Sequence, residues 1–206
     1  FLTPGVAQER ERNGLSFAGS RGINSNINID GADFNQPFFG GQRGGERSDK
    51  IYVVSQEAIR EFQVVRSNFA AEFGRSTGGV VNVLTKSGTN DWHGSAFYYL
   101  RHREFAPRDL SGVDRAPIRQ QFGGGVGGPI VKNKTFFYTV YDQQEERQPL
   151  IVRFGIITGV PASLVSQQGT FETTNDVSTY VVKIDHELSA KHRLNGRYNY
   201  SRNNGL

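Results

Sequence analysis

The chain has 206 residues, of which 36% are hydrophobic and 21% are charged, and it contains 25 Gly, no Cys and no Met. The lack of Cys excludes disulfide scaffolds, thiolate-ligated metals and thiol nucleophiles. A mean hydropathy of −0.51 and the lack of any apolar run of about 18 residues exclude a transmembrane helix. The net charge of +4 is spread along the sequence, which predicts no nucleic-acid surface. Because the sequence starts at Phe1 and has no Met, we expect it to be a fragment.

The first half of the chain, up to about residue 88, has short apolar segments separated by Gly, Asn and Ser. A helix-like stretch is predicted at 55–60, where Ser55 can cap the first turn and Glu57 lies at its positive end. Runs rich in β-forming residues occur at 51–54, 61–66 and 79–86. These patterns predict a small mixed α/β unit over residues 1–88.

The second half begins after a turn-forming cluster at 87–90 and has longer segments with period-two alternation. In the last of them, Leu194, Tyr198 and Tyr200 fall on one face and charged or amide side chains on the other. Strands of this length with one aromatic-rich face are typical of a membrane-spanning barrel, whereas strands of soluble sandwiches average about 5–6 residues. The five predicted strands are 92–103, 119–128, 135–145, 179–188 and 193–203.

The connections between these strands differ in length. They are short at 133–134 and 189–192 and long at 104–118 and 147–178. Short turns on the periplasmic side and long external loops are typical of outer-membrane barrels, which assigns the two sides. Aromatic residues that could form girdles at the lipid headgroups are Phe97, Tyr98, Tyr99, Phe136, Phe137, Tyr138, Tyr198 and Tyr200.

Three motifs in the first half point to a family. They are Ile29-Asp30-Gly31-Ala32, then EFQV at 61–64, then AAEFGRSTGGVVNVLTK at 70–86. In this order they resemble the plug domain of TonB-dependent outer-membrane transporters. Four further segments resemble the branch with a carboxypeptidase-regulatory-like domain ahead of its plug: TKSGTN at 85–90, FGGGVGGP at 122–129, KTFFYTVY at 134–141 and KIDHEL at 183–188.

The resemblance implies a mainly β fold in which a plug sits inside a barrel of about 22 strands. It assigns residues 1–88 to the rear of the plug and 89–206 to the first five or so antiparallel strands of an incomplete transmembrane β-barrel. The implied location is the outer membrane of a Gram-negative cell, with outer-membrane lipid as a partner. The implied function is binding and energised import of a bulky solute of siderophore, cobalamin or glycan type, with the TonB complex contacting a segment that is not in this sequence.

Two other functions remain open from the sequence. The same plug-barrel fold could act in adhesion, secretion or envelope structure without import, or the chain could be a soluble secreted β-domain. Substrate identity is not fixed, because one fold serves many functions.

The resemblance also implies substrate contacts on two plug loops. It places Asp33, Asn35 and Gln36 on the first loop and Phe73 on the second, where many relatives have Tyr. Phe keeps the apolar ring but lacks the hydroxyl donor. The alternative is that Phe73 and Phe69, four residues apart, only anchor the loop.

Other motif residues are expected to be structural. Asp30 and Gly31 shape a turn, and Gly78 and Gly79 allow tight strand entry. The remaining motif positions are Gly74, Thr85 and Lys86. Three plug arginines are predicted to pair with acids on the barrel wall: Arg60, Arg66 and Arg75.

Dinucleotide and RNA binding are both considered and disfavoured. Gly123, Gly125 and Gly128 match G-x-G-x-x-G, but a strand rather than a helix follows, so we expect them to allow bending or close approach in the wall. The GGQRGGER segment at 40–47 is a single copy flanked by acids, which favours a plug loop over an RNA-binding segment.

Catalysis and metal binding are disfavoured as well. The acid pairs Glu145–Glu146 and Glu57–Glu61 lack a nucleophile, and solvated charge is the simpler interpretation. The four histidines have no spacing typical of a metal site. We therefore predict no enzyme, no catalytic residue, no metal and no cofactor.

Overall fold

The computed structural model describes residues 4–8, 15–38, 54–68, 74, 76–105, 117–152 and 167–205. The predictions for 40–47, most of 51–54, Phe69, Phe73 and Arg75 therefore lie outside the described residues. In the described ranges, none of the helical turns has the length and apolar character needed to cross a bilayer.

The described chain is built mainly of β-strands in three sheets. The strands are β1 (Val6–Gln8), β2 (Leu15–Phe17), β3 (Ser25–Ile29), β4 (Ala32–Asp33), β5 (Ile59–Val65), β6 (Gly79–Thr85), β7 (His93–Arg101), β8 (Ile118–Val131), β9 (Thr135–Val152), β10 (Gly169–Ser189) and β11 (His192–Gly205). β1 and β2 pair with each other, a four-stranded sheet has the order β4-β3-β6-β5, and a five-stranded sheet has the order β11-β10-β9-β8-β7. We call the last two the small sheet and the large sheet.

The small sheet is mixed, with β3 parallel to β6 and β5 antiparallel to it. Apolar and carboxamide side chains alternate along β3, and successive side chains of a strand point to opposite faces. One face therefore forms a core, and the other carries amides. The core residues are Phe17, Ile27, Ile29, Phe34, Val81 and Val83.

The helix-like stretch is shorter than predicted. It is a single 3-10 turn, Gln56–Ala58, because Ile59 already pairs with Thr85 at the start of β5. The predicted cap is confirmed, since the Ser55 hydroxyl accepts a hydrogen bond from the Glu57 amide at 3.2 Å.

The large sheet confirms the five predicted strands, and all its neighbouring pairs are antiparallel. The predicted loop at 147–178 was too long, because β9 continues to Val152 and β10 already starts at Gly169. Pro149 is tolerated there. It pairs with Glu172 of β10, beyond the point where β8 begins at Ile118, so one side of its strand has no described neighbour.

The two faces of the large sheet differ as the alternation predicts. We call the face that contacts the small sheet the inner face. On β10, Thr179, Val181 and Lys183 are buried on the inner face, whereas Tyr180 and its alternate neighbours are exposed on the outer face. The outer residues from Tyr180 to Leu188 cover about 27 Å along the strand, roughly 20 Å once strand tilt is included, which is close to the apolar band of an outer-membrane barrel.

A row of tyrosines borders this outer apolar band. Tyr180 lies opposite both Tyr141 and Tyr200, with ring centroids 4.8 and 6.3 Å away. Such a row is typical of a membrane interface. Four of the eight predicted girdle residues lie instead on the inner face, because they fall on the other parity of their strands: Phe97, Tyr99, Phe136 and Tyr138.

Candidate functional site

The contact between the two sheets is centred on Asp30, at the turn after β3. Its carboxylate accepts hydrogen bonds from the Thr85 amide at 2.8 Å and the Thr85 hydroxyl at 2.6 Å. Arg197 of β11 donates to the same carboxylate at 2.9 Å, and the Lys183 ammonium of β10 lies 3.5 Å from it. Asp30 has φ +50° and Gly31 has φ +80°, which confirms a turn at this pair.

Asp30 thereby joins the end of β6 to two strands of the large sheet. Lys183 also donates to the Thr85 hydroxyl at 3.0 Å and to the Thr85 carbonyl at 3.3 Å. Burial raises the pKa of Asp30, but the Thr85 hydrogen bonds and the charges of Lys183 and Arg197 outweigh it and lower that pKa. The carboxylate is therefore held ionised in a largely buried site.

The charges of this contact have the opposite arrangement to the predicted one. We expected basic residues on the first half and acids on the wall, but at Asp30 the acid belongs to the small sheet and the bases to the large sheet. Arg66 donates to the Pro4 carbonyl at 2.8 Å, within its own half of the chain. Arg60 lines a pocket between the sheets together with Asp30, Lys183 and Asp185.

A second contact surrounds Glu57 in the 3-10 turn. One carboxylate oxygen accepts from the Lys86 ammonium at 2.5 Å, from the Tyr138 hydroxyl at 3.3 Å and from the Ser95 hydroxyl. Lys86 belongs to the segment between the sheets, and Tyr138 and Ser95 are on the inner face of the large sheet. Glu57 therefore links the turn before β5 to both β7 and β9.

The Glu57 contact is expected to weaken in acid. Burial raises the pKa of Glu57, but hydrogen bonds from Lys86 and Ser95 and the Lys86 charge outweigh it, so that pKa lies below its ordinary value of 4.5. A group with a lowered folded-state pKa contributes stability above its unfolded pKa, and the contribution is lost as the pH falls through the folded value. We expect the small sheet to lose stability below about pH 4.5, and less so in Glu57→Gln.

Urea titrations of the full-length protein at a series of pH values, with a fluorophore on the exposed position Phe38→Cys, would measure this. Glu61→Gln, an exposed position on β5, is the matched control and should keep the wild-type acid dependence. Asp30 titrates in the same direction, so Glu57→Gln should remove only part of the dependence. An unchanged acid profile in Glu57→Gln would contradict this assignment.

A third contact joins Ser55 to Asp142, a residue of β9 on the inner face of the large sheet that is 1% exposed. The Ser55 hydroxyl donates to Asp142 at 2.7 Å while it caps the 3-10 turn, and the Gln121 amide donates to both Asp142 oxygens at 3.1 and 3.2 Å. Hydroxyl and amide donors thus satisfy this buried acid. Buried carboxylates require such partners.

Glycines allow the two sheets to approach. A Cβ on Gly125 would lie 2.7 Å from the Tyr138 hydroxyl, and a Cβ on Gly127 would overlap the Tyr138 ring, so these glycines make room for Tyr138 to reach Glu57. The G-x-G-x-x-G residues lie inside β8, where a turn and another strand follow, as the structural interpretation predicts. A Cβ on Gly88 would overlap the backbone of Phe137, so the segment between the sheets lies directly on the wall.

Two of the four predicted motif glycines occupy crowded positions. A Cβ on Gly79 would lie 2.6 Å from the Phe17 ring, and one on Gly78 would overlap the Ser20 hydroxyl, so both support close packing at the start of β6. Among the described residues, no atom lies within 4 Å of the Cβ positions of Gly74 and Gly31.

The bases of the two predicted ligand loops are joined by side-chain amides. Asn35 donates to the Asn26 amide oxygen at 2.9 Å, and Asn26 donates to the Gly74 carbonyl at 2.7 Å. Asn35 also accepts from the Ile27 amide at 3.0 Å and is 6% exposed, so its side chain is used within the small sheet. Asn35 and Gly74, the described residues at the bases of the two loops, therefore lie side by side at the end of the sheet opposite Asp30.

The other predicted contact residues are more accessible. Asp33 is exposed and accepts from the Asn35 amide at 2.9 Å. Gln36 is half-buried, and its side-chain oxygen lies 3.4 Å from the Phe38 amide. An open pocket of about 1020 Å³ lies on the amide face of the small sheet, lined among others by Gly31, Asp33 and Gly74.

The sequence patterns did not identify the wall side of these contacts. Lys183, Arg197 and Asp142 lie within predicted strands but were not singled out, and Tyr138 was assigned to a lipid girdle. The sequence did offer one signal for these contacts: a charged residue on the polar face of a strand whose other face is apolar. No group of three or more His, Asp or Glu among the described residues is arranged to hold a metal.

Comparison with known proteins gives consistent matches. Residues 84–171 match the family model described as an outer membrane beta barrel domain. The chain is 32% identical over 152 residues to the TonB-dependent transporter Oar of Myxococcus xanthus, covering 66% of this chain and 13% of that protein. It is 35% identical over 88 residues to a probable TonB-dependent siderophore receptor, PirA, of Acinetobacter baumannii, covering 42% of this chain and 10% of that protein.

Solved structures show the same fold. A mutant of the ferric enterobactin receptor of Pseudomonas aeruginosa superposes with a TM-score of 0.66 at 18% identity, over 98% of this chain and 29% of that one. The siderophore receptor PirA of Acinetobacter baumannii superposes with a TM-score of 0.51 at 20% identity, over 97% of this chain and 36% of that one. The chain thus spans about a tenth to a third of the length of these proteins.

Proposed function

We propose that this chain belongs to the TonB-dependent outer-membrane receptors, with residues 1–88 as part of the plug and 89–206 as the first barrel strands of a receptor that binds a solute outside the cell and imports it. The outer membrane is the location that this family implies. The function is binding and transport, without a catalytic step.

The chief support is the chemistry of the contact between the sheets. The large sheet turns apolar side chains outward and meets the small sheet through Asp30, Glu57 and Ser55. Among the described residues, the buried apolar contact across the interface is a small cluster around Ala58. A polar interface can exchange its hydrogen bonds for water at a net cost of about 1.5–3 kcal/mol for each bond to a charged group, so a pulled plug could separate from the large sheet while both stay folded.

For the solute, we propose a siderophore. Two of the curated relatives are named as siderophore or ferrienterobactin receptors. Asp33, Gln36 and Phe73 are the proposed plug contacts, and Asn35 positions the first loop through Asn26. Cobalamin and glycans are the competing solute classes.

Uptake of radioactive iron supplied as ferric enterobactin or as ferrichrome tests this function. A deletion strain is compared with the same strain carrying the full-length gene, each with and without a working TonB complex. We expect uptake of at least one chelate to depend on both the gene and TonB. Unchanged uptake together with altered surface export or adhesion would instead support the plug-barrel role without import.

A further inference from the structure

Two arginines face each other on the inner face of the large sheet. Arg101 of β7 pairs in register with Arg119 of β8. Ser95 of β7 points to the inner face, because its hydroxyl donates a hydrogen bond to Glu57 in the turn before β5. Tyr99 and Arg101 share that parity and therefore also point inward.

These residues lie beyond the small sheet, toward the long connections. The Ser55–Asp142 contact is at the level of Phe97 and Gly123 in the register of the large sheet. Tyr99 lies two residues further along β7, and Arg101 two residues further again. This part of the inner face is therefore next to the contact with the small sheet but outside it.

The arginine pair concentrates positive charge. Like charges directly opposite each other on neighbouring strands are destabilising. Arg119 donates to the Gln144 side-chain oxygen at 2.9 Å, and Glu146 lies opposite Arg119 on β9. One carboxylate can neutralise only one of the two guanidinium groups, so this row of three residues keeps a net positive charge.

An aromatic surface adjoins the charge. The Tyr99 ring is 64% exposed and stacks on Phe97, with centroids 5.5 Å apart. Guanidinium groups bind carboxylates, phenolates and sulfonates through paired hydrogen bonds, and an aromatic face stacks on planar rings. A ring that carries an acidic oxygen would satisfy both surfaces at once.

We propose that Tyr99, Arg101 and Arg119 form a subsite for a planar, negatively charged group of the ligand. The inference rests on the proposed function only in that the inner face lines the solute path. It specifies the chemistry of one part of the ligand, an aromatic anion, which the fold leaves open.

Binding of pyranine, a planar fluorescent pyrene trisulfonate, to the purified full-length receptor in detergent tests the subsite by fluorescence anisotropy, without any measurement of uptake. We expect Arg101→Gln and Arg119→Gln each to weaken binding about tenfold, and the double variant more. Tyr99→Leu should weaken pyranine binding but leave competition by inorganic sulfate unchanged. Arg147→Gln is the matched control, because Arg147 follows Glu146, the residue paired with Arg119, and its side chain therefore points to the outer face.

The outcomes separate clearly. Weaker binding in the inner-face variants with unchanged binding in Arg147→Gln supports the subsite, even if no tested chelate is imported. No pyranine binding by the wild type, equal affinity in the Arg101→Gln/Arg119→Gln double variant, or an equal loss in Arg147→Gln would overturn it.

Discussion

Replacing Asp30 by Asn is expected to loosen the small sheet from the large sheet by about 3 kcal/mol, because Lys183 and Arg197 would keep their buried charges without a carboxylate between them. Both cations are largely buried, with side-chain exposures of 10% and 16%. The measurement is amide hydrogen exchange of β3 and β6 in the full-length receptor, since exchange reports the free energy of local opening.

A double variant tests whether the loosening comes from the unpaired buried charges. Asp30→Asn with Lys183→Met removes one of the stranded charges and should recover part of the lost protection, as expected for coupled residues. Asp91→Asn makes the same chemical change at an exposed position and should leave β3 unaffected. Equal exchange of β3 in Asp30→Asn and wild type would show that the Asp30 contact does not hold the sheets together.

Replacing Gly88 by Ala is expected to displace the segment that runs from the small sheet to β7. The new Cβ would overlap the Phe137 backbone and approach the Gly128 carbonyl within 2.7 Å, and backbone within a paired sheet cannot move aside as a flexible side chain can. Overpacking of this kind costs about 1–3 kcal/mol, and we expect the upper end.

The readout for Gly88→Ala is the folded fraction of receptor in the outer membrane, from its heat-modifiable mobility, together with hydrogen exchange at residues 85–91. Gly196→Ala is the control, because no atom of the described residues lies within 4 Å of the Gly196 Cβ position. If the Gly88→Ala protein had the wild-type folded fraction and the wild-type hydrogen exchange at residues 85–91, the segment between the sheets would not pack on the Phe137 backbone as the structure shows.

The alternation of side chains predicted the large sheet well. Residues 193–203 were expected to form a strand with Tyr198 and Tyr200 on the apolar face, and β11 has both on the outer face. The strand ends were less predictable. Residues 143–148 of β9 and 172–176 of β10 are polar on both faces, so the sequence has no period-two alternation there, although the strands remain paired as far as Val152 and Gly169.

The candidate site was predictable only in part. The Asp30–Gly31 turn and the Ser55 cap depend on neighbouring residues, and the sequence indicated both. The partners of Asp30 did not follow from any local pattern, because Arg197 is 167 residues away along the chain. Asn35 was predicted as a ligand contact, yet its burial among Asn26 and Ile27 depends on how β3 and β4 pair.

By itself, the sequence determined which segments form the strands of the large sheet and the short turns between them, and that one face of the last strand is apolar, because these depend on residue identity at a spacing of two. Only the tertiary structure decided which charges meet between the sheets. The alternation of polar and apolar residues along a strand shows which side chains point inward. Which residue such a side chain contacts depends on the register of the five strands and on where along them the small sheet packs. For this reason Lys183 and Arg197 enclose Asp30, and Arg66 binds its own half of the chain.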